Sequence, residues 1–479
     1  MDRQNYNFHT HTKLCGHAGV FELEEYIEHS RNNGITRIGF SDHCPFPRLL
    51  FTEENSRMFY DEIDYYIERV KTIKRDNSDM EVLVSFEAEY DPLLEGYLRD
   101  LKSKVDYMVI GQHFVLDASV HGDYPIKYAD MVCKGIESGI FDLVAHPEIF
   151  LLKRKELNYE EIDKFNSNIL KAYQMICLKA KEYNIPIELN LKYAKSIGKE
   201  IIPFWEIVSS MNLKVVVGLD VHDPSKFDTM FNLKDEVLSL LDGINLNFVK
   251  DDYNPVVSRI QNQRLDIIYK LRKDNVLNTY TYYMVNLLNK IFNRIPKSDN
   301  SNEVLFYLNE HLDKEISEIT SIGSSKDSEL LEKSSSLEGD TSYKTFRLSR
   351  IKKNLESNNE TIKVLNSLIS TLKVYISKAF EIGINDRENI IKAVTLFSEI
   401  NLSIDDSERR VLLEELASLE ESYGKKGDNT SLVKVNPLFK SNENNFNWNL
   451  GFTKVFSLLL ILSFILGVGV GIALILLKI

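Results

Sequence analysis

Residues 5–222 alternate between short apolar runs and longer amphipathic stretches. The runs are YNFHTH, TRIGFSDH, EVLVSFEAEY, DYMVIGQHF, FDLVAHPE, IPIELNL and LKVVVGLDVH. Between them lie FELEEYIEHSRNNG, with Gly34 at a natural C′ position, and the stretches Asp61–Asp76, Pro92–Lys104, Tyr128–Gly139, Tyr159–Tyr183 and Pro203–Met211. Near-continuous apolar strands separated by amphipathic helices predict a parallel sheet covered by helices. Seven such units fit either an open doubly wound sheet or a closed barrel. An open sheet gathers its ligand groups at one crevice, whereas a barrel brings every C-terminal strand end onto one rim. Here every strand but the sixth ends on or just before a candidate ligand, and the sixth ends in Glu188 and Asn190. The expectation is an α/β fold: a distorted, TIM-like (β/α)7 barrel over residues 1–250.

Beyond residue 250 the strand pattern stops, and Val256–Ile295 and Asn302–Ile319 read as a helical extension over 251–319. Residues 320–345 are rich in Ser, Glu and Gly and predict a flexible linker. Over 346–423 the apolar positions Leu348, Ile351, Leu355, Ile362, Leu365, Ile369, Leu372 and Ile376 recur at helical spacing, with Asn358 at one core position. Two further helical stretches follow, Arg387–Ile400 and Asp406–Ser422. A three-helix bundle accounts for all three; a self-associating coiled coil accounts for the first alone. Residues 424–452 are polar and predict a tether. Val455–Leu477 is 23 residues without a charge, about 34 Å as a helix, long enough to cross a bilayer. Residues 453–477 are therefore expected to be a single-pass C-terminal anchor in the cell membrane, with the lysines before it holding the catalytic part in the cytoplasm. Gly467 and Gly471 form a GxxxG, a weak pairing signal. Residues 1–20 carry no apolar run, so no secretory leader is expected.

Charge narrows the partners. The chain is −13 overall, and residues 1–250 hold 41 acidic against 29 basic side chains. That balance argues against a nucleic-acid partner. The four cysteines have no CxxC spacing and read as reduced thiols.

Histidine carries the chemistry. Seven of ten histidines fall at or near predicted strand ends within the first 222 residues: His9, His11, His17, His43, His113, His146 and His222. Glu87 and Asp220 accompany them. Imidazole and carboxylate are the usual ligands of transition metals, and nine such groups exceed the needs of one ion. A multinuclear site implies hydrolysis, because neighbouring cations acidify a water and offset phosphate charge. Glu89 shares the face of Glu87, and strand alternation does not choose between the two. Asp42, beside His43, is the candidate for imidazole orientation or proton transfer, with a structural hydrogen bond as the alternative. Arg48, Lys192 and Lys195 are candidate phosphate-binding cations on the rim, or solvated loop residues. His29, His121 and His311 stand apart from this pattern.

The motifs FHTHTKLCGHA, GFSDHCP, FEAEY, IGQHF, AHPE and GLDVHDP resemble, in order and spacing, the PHP (polymerase and histidinol phosphatase) family, and within it the histidinol-phosphatase type. The resemblance covers about residues 5–250. It implies a distorted (β/α)7 barrel with three divalent ions (Zn, Mn or Fe): one on His9, His11, Glu87 and Asp220, a second on Glu87, His113 and His146, a third on His17, His43 and His222. It also implies a phosphomonoesterase acting on a small phosphorylated substrate, L-histidinol phosphate first. The helical half and the apolar tail depart from that pattern. They leave open a membrane-localised phosphoesterase for another phosphometabolite or phosphotyrosine, or an inactive tail-anchored scaffold whose helices recruit partners.

Overall fold

The computed structural model describes residues 4–52, 56–116, 118–256, 276–298, 300–339, 341–403 and 406–424. Eight parallel strands form one sheet in chain order: β1 Tyr6–Asn7, β2 Arg37–His43, β3 Glu81–Ala88, β4 Tyr107–Ile110, β5 Leu143–Val144, β6 Ile187–Asn190, β7 Lys214–Gly218 and β8 Asn247–Phe248. The helices between them are α1 Leu23–Asn32, α2 Ile63–Asp76, α3 Glu95–Lys102, α4 Tyr124–Ser138, α5 Tyr159–Tyr183, α6 Leu191–Ile197, α7 Ile202–Ser210 and α8 Phe227–Leu240.

Strand alternation sorts the side chains. Ile38 and Phe40 of β2, Val82, Val84 and Phe86 of β3, and Val215 and Val217 of β7 pack outward into the helix-covered core. Tyr6, Phe8, Leu83, Tyr107, Val109, Leu143, Ala145 and Val216 form a separate inner cluster. The sheet curls until its first and seventh strands meet beyond their ends, at the bridge between Thr10 and Val221. His11 N donates to Val221 O at 2.9 Å, and Gln4 Nε2 reaches Val217 O at 3.0 Å. Seven strands thus curl as the sequence pattern implies. The eighth was not expected. It pairs with the start of β7, and Val249 and Tyr253 after it pack against the inner cluster.

The chain divides into two compact units, residues 1–276 with 323–362, and 277–322 with 363 onward. Five helices follow the barrel in the described residues: α9 Thr279–Phe292, α10 Ser301–Ser335, α11 Thr341–Glu381, α12 Arg387–Leu402 and α13 Asp406–Gly424. In the second unit Leu288, Ile291, Leu308, Leu312, Leu372, Ile376, Val394 and Phe397 are buried.

Two expectations change here. The serine-rich stretch 320–345 is no loose linker: it is helical to Ser335 and again from Thr341. A run such as SSKDSELLEKSS carries enough apolar positions, Leu330 among them at 6% exposure, to be held by packing. The helical seam also differs. Leu348 is exposed, while Arg347, Arg350, Asn354 and Asn358 are buried. Asn358 donates to Asp327 Oδ1 of α10 at 2.9 Å, which explains a polar residue in an apolar stripe. The face expected for self-pairing is used within the chain. Among the described residues no helix is long and apolar enough to cross a membrane. The expected span, 453–477, and all of the tether but Gly424 lie outside the described residues.

Candidate metal centre

All nine expected ligands converge at the C-terminal rim. His9 Nε2 lies 3.0 Å from His11 Nε2 and 3.2 Å from Glu87 Oε2. His11 Nε2 lies 3.3 Å from Asp220 Oδ1. Glu87 sits at the middle, with Oε2 3.1 Å from His43 Nδ1, and Oε1 2.6 Å from His146 Nε2 and 3.5 Å from His113 Nε2. His17 and His222 face each other at 2.7 Å through their Nε2 atoms. Overlapping triads able to hold an ion include His9–His11–Asp220, His9–Glu87–His146, His43–Glu87–His113 and His11–His17–His222. His9, His11, Glu87, His146 and Asp220 are buried; His43, His113 and His222 are half-buried, and His17 is exposed. That gradient leaves solvent a route in from one side.

The backbone is shaped for this convergence. His146 and Asp220 both adopt left-handed φ of 49°, a conformation that costs a non-glycine residue of order 1 kcal/mol and that persists where the surroundings enforce it. Two glycines make room for carboxylates. A Cβ at Gly111 would stand 1.9 Å from Glu87 Oε1, and one at Gly218 would stand 1.7 Å from Glu188 Oε1.

Outer partners set the imidazole tautomers. His9 Nδ1 lies 2.8 Å from Glu188 Oε1, His113 Nδ1 3.1 Å from Glu89 Oε1, and His11 Nδ1 3.1 Å from Cys15 Sγ. His222 Nδ1 donates to Asp220 O at 2.9 Å and His17 Nδ1 to Cys15 O at 3.4 Å. A carbonyl only accepts, so in both rings the proton sits on Nδ1 and the lone pair on Nε2. Those two lone pairs then face each other across 2.7 Å. Burial and the neighbouring His222 take His17 down to about 4, and burial also lowers His222. A cation bound by both nitrogens satisfies them. Glu87 Oε1 and Asp220 Oδ1 are buried beside His146 Nε2 and His11 Nε2 without hydrogen-bond geometry to them, and make the same demand. The donor set therefore fits divalent metal, with imidazole and carboxylate ligands suited to Zn, Mn or Fe.

Electrostatics follow burial and neighbours. Burial pulls the His9 pKa down, yet Glu188, Glu87 and Asp220 hold it well above the ordinary value. Burial and nearby imidazoles lower His11 and His43. Burial would raise the carboxylates of Glu87 and Asp220, but the histidines around them keep both well below the ordinary range.

The comparisons fit this geometry. The family model for the PHP domain matches residues 7–192. Residues 7–192 thus match a PHP domain, and Asp220 and His222 lie beyond the matched residues. Comparison with curated proteins returns no match. Among solved structures, a candidate histidinol phosphatase from Listeria monocytogenes matches at 17% identity and a TM-score of 0.36, over 46% of this chain and 97% of its own. A histidinol phosphate phosphatase from Lactococcus lactis, crystallised with zinc, L-histidinol and phosphate, matches at 11% identity and a TM-score of 0.40, over 51% of this chain and 95% of its own.

The other sequence candidates in the PHP domain separate. The His43 ring meets Glu87 rather than Asp42. Asp42 lies on the opposite face of β2, fully buried, and accepts from the backbone and hydroxyl of Thr12, so it holds the loop after β1. Burial raises its pKa to about 6, while the Thr12 hydrogen bonds and Arg350 pull it back. Lys192 Nζ stands 3.7 Å from Asp220 Oδ2 and is half exposed, at the edge of the ligand cluster. Lys195 instead pairs with Glu236 on the surface, and Arg48 lies over the Tyr60 ring. Glu188 and Cys15 were missed as supports of His9 and His11. Glu188 had a signal, since it ends a strand as the other ligand residues do; Cys15 had only its place between His11 and His17.

Proposed function

We propose that this chain is a metal-dependent phosphomonoesterase with a trinuclear site on His9, His11, His17, His43, Glu87, His113, His146, Asp220 and His222, and that L-histidinol phosphate is its substrate. The observation that carries the metal reading is the pair of Nε2 lone pairs on His17 and His222, beside buried carboxylate oxygens that have no hydrogen bond. Bound divalent ions would acidify a water and neutralise the phosphate dianion. Glu188, Glu89 and Cys15 keep Nδ1 of His9, His113 and His11 engaged, so that Nε2 of each is presented to the ion. Lys192 can meet a phosphate oxygen at the open side without spending a metal position. The substrate rests on the motif resemblance, and the apolar segment 453–477 adds the further proposal of a membrane anchor with the catalytic part in the cytoplasm.

The test uses the full chain. Metal content is measured by mass spectrometry, and phosphate release is followed on histidinol phosphate and a panel of other esters, including phosphotyrosine. His9→Ala is expected to lose activity by several orders of magnitude, because the metal-activated nucleophile disappears. Turnover confined to other esters would replace the substrate; a chain that binds no metal would leave the scaffold reading.

A further inference from the structure

The barrel unit includes residues 323–362 of the helical half, and the polar face of α11 is spent on the loops that carry metal ligands. Arg347 Nη1 donates to Gly16 O at 3.1 Å, one residue before His17. Arg350 Nη2 donates to Leu14 O at 3.3 Å and to Arg57 O at 2.9 Å, while its Nη1 meets Glu62 Oε2 at 3.1 Å. Asn354 Nδ2 donates to Thr52 O at 3.0 Å. Arg347, Arg350 and Asn354 are all buried. Lys353 adds a contact to Glu62, and the Arg350 guanidinium lies 4.2 Å over the Phe59 ring.

Two chains of contact run from Arg350 to the centre. The first goes through Leu14 O to the loop Lys13–Gly16. There Cys15 takes the His11 Nδ1 proton and its carbonyl takes that of His17. The second goes through the backbone of Arg57, whose guanidinium forks onto Glu89 at 3.1 and 3.3 Å, and Glu89 holds His113 Nδ1. Loop carbonyls have no strand ladder to accept from, so a buried guanidinium with several donors is the group that can order them.

We propose that α11 is a brace for the metal centre, with Arg350 and Arg347 as positioning residues that fix the Leu14–His17 loop and, through Arg57 and Glu89, His113. The proposal rests on the metal reading given above. It gives the helical half a specific role, which is to set how tightly the outermost ion, on the exposed His17, is held.

The experiment titrates the metal-stripped full chain with Zn(II) against a competing chelator and counts ions per chain by native mass spectrometry. For Arg347→Met we expect the ion on His17 to bind about 10–100-fold less tightly, the usual consequence of losing support behind a metal ligand, with the others unchanged, and for Arg350→Ala we expect the ion on His113 to weaken as well. Arg350→Lys keeps the charge without the fork and should fall between. A merely structural role would lower the melting temperature and leave the ratio of the ion affinities unchanged. Equal affinities and stoichiometry in wild type and folded variants would overturn the brace. If Arg350→Ala fails to fold, Arg347→Met, which removes the contact to Gly16 O, decides the question. A wild type that binds no zinc would overturn the metal reading itself, and the brace with it.

Discussion

Replacing Gly218 with alanine tests the packing beneath the centre without any metal present. The added Cβ would lie 1.7 Å from Glu188 Oε1 and 2.3 Å from its Cδ, against an ordinary contact of 3.4 Å or more. Glu188 is fully buried and its Oε1 is held by His9 Nδ1 at 2.8 Å, so it cannot swing to solvent. Either β6 and β7 part, which breaks their register, or the carboxylate leaves His9. Overpacking costs about 1–3 kcal/mol, and losing a buried hydrogen bond to a charged group would instead cost about 1.5–3 kcal/mol. By either route the expected loss is about 1–3 kcal/mol. The assay is urea unfolding of the metal-free chain, followed by Trp205 fluorescence, for Gly218→Ala, Glu188→Ala and the double variant. In the Glu188→Ala background the obstruction is gone, so Gly218→Ala should then cost less than about 1 kcal/mol, and the two changes should be strongly non-additive. Additive behaviour, or a small loss in both backgrounds, would refute the reasoning.

Three other expectations follow from the same geometry. Lys192→Ala should raise KM for the phosphoester about tenfold, the weight of one hydrogen bond to a charged group, whereas Lys195→Ala, whose partner is Glu236, should be neutral in steady-state kinetics. Burial lowers His11, His43 and His222 and takes His17 to about 4, whereas against burial the neighbouring carboxylates raise His9 and His113; on acidification the ions that need His9 and His113, counted after dialysis, should therefore be released before the one on His17, His43 and His222. Burial raises Glu148 from 4.5 to about 8. Its protonated form suits the fold, so stability is full below the ordinary value and is lost as pH rises through 8; Glu148→Gln should recover about 5 kcal/mol at pH 9 in urea unfolding.

The nine-residue centre was legible in the sequence because barrel geometry forces one rule on every unit. A ligand at the end of a parallel strand reaches the same rim whichever strand carries it, so His9, His113 and Asp220 could be read from periodicity, whereas Glu87 and Glu89 share a face and only the family motif favoured Glu87. What periodicity does not encode is which neighbour a side chain meets across the barrel. Asp42 and His43 are adjacent in sequence, yet strand alternation sends them to opposite faces, one to Thr12 and the other to Glu87. Glu188 was noted as a strand end, but its hold on His9 depends on the absent side chain of Gly218, a contact between residues 30 apart. The buried arginines of α11 ran against the expectation of an apolar seam, since their acceptors are backbone carbonyls, which leave no mark in a residue pattern. β8, two residues long, is too short to announce itself.

The order in which the ribosome delivers these pieces has its own consequence. Arg350 emerges about 100 residues after the last strand, a delay of roughly 5–20 s at ordinary elongation rates. During that interval the nascent barrel has all its ligands but no Arg347 or Arg350 to fasten the turn at Gly16. If the brace holds, metal entering early would meet an unfinished mouth, and an outermost cation would be secured only once the downstream helix has been made.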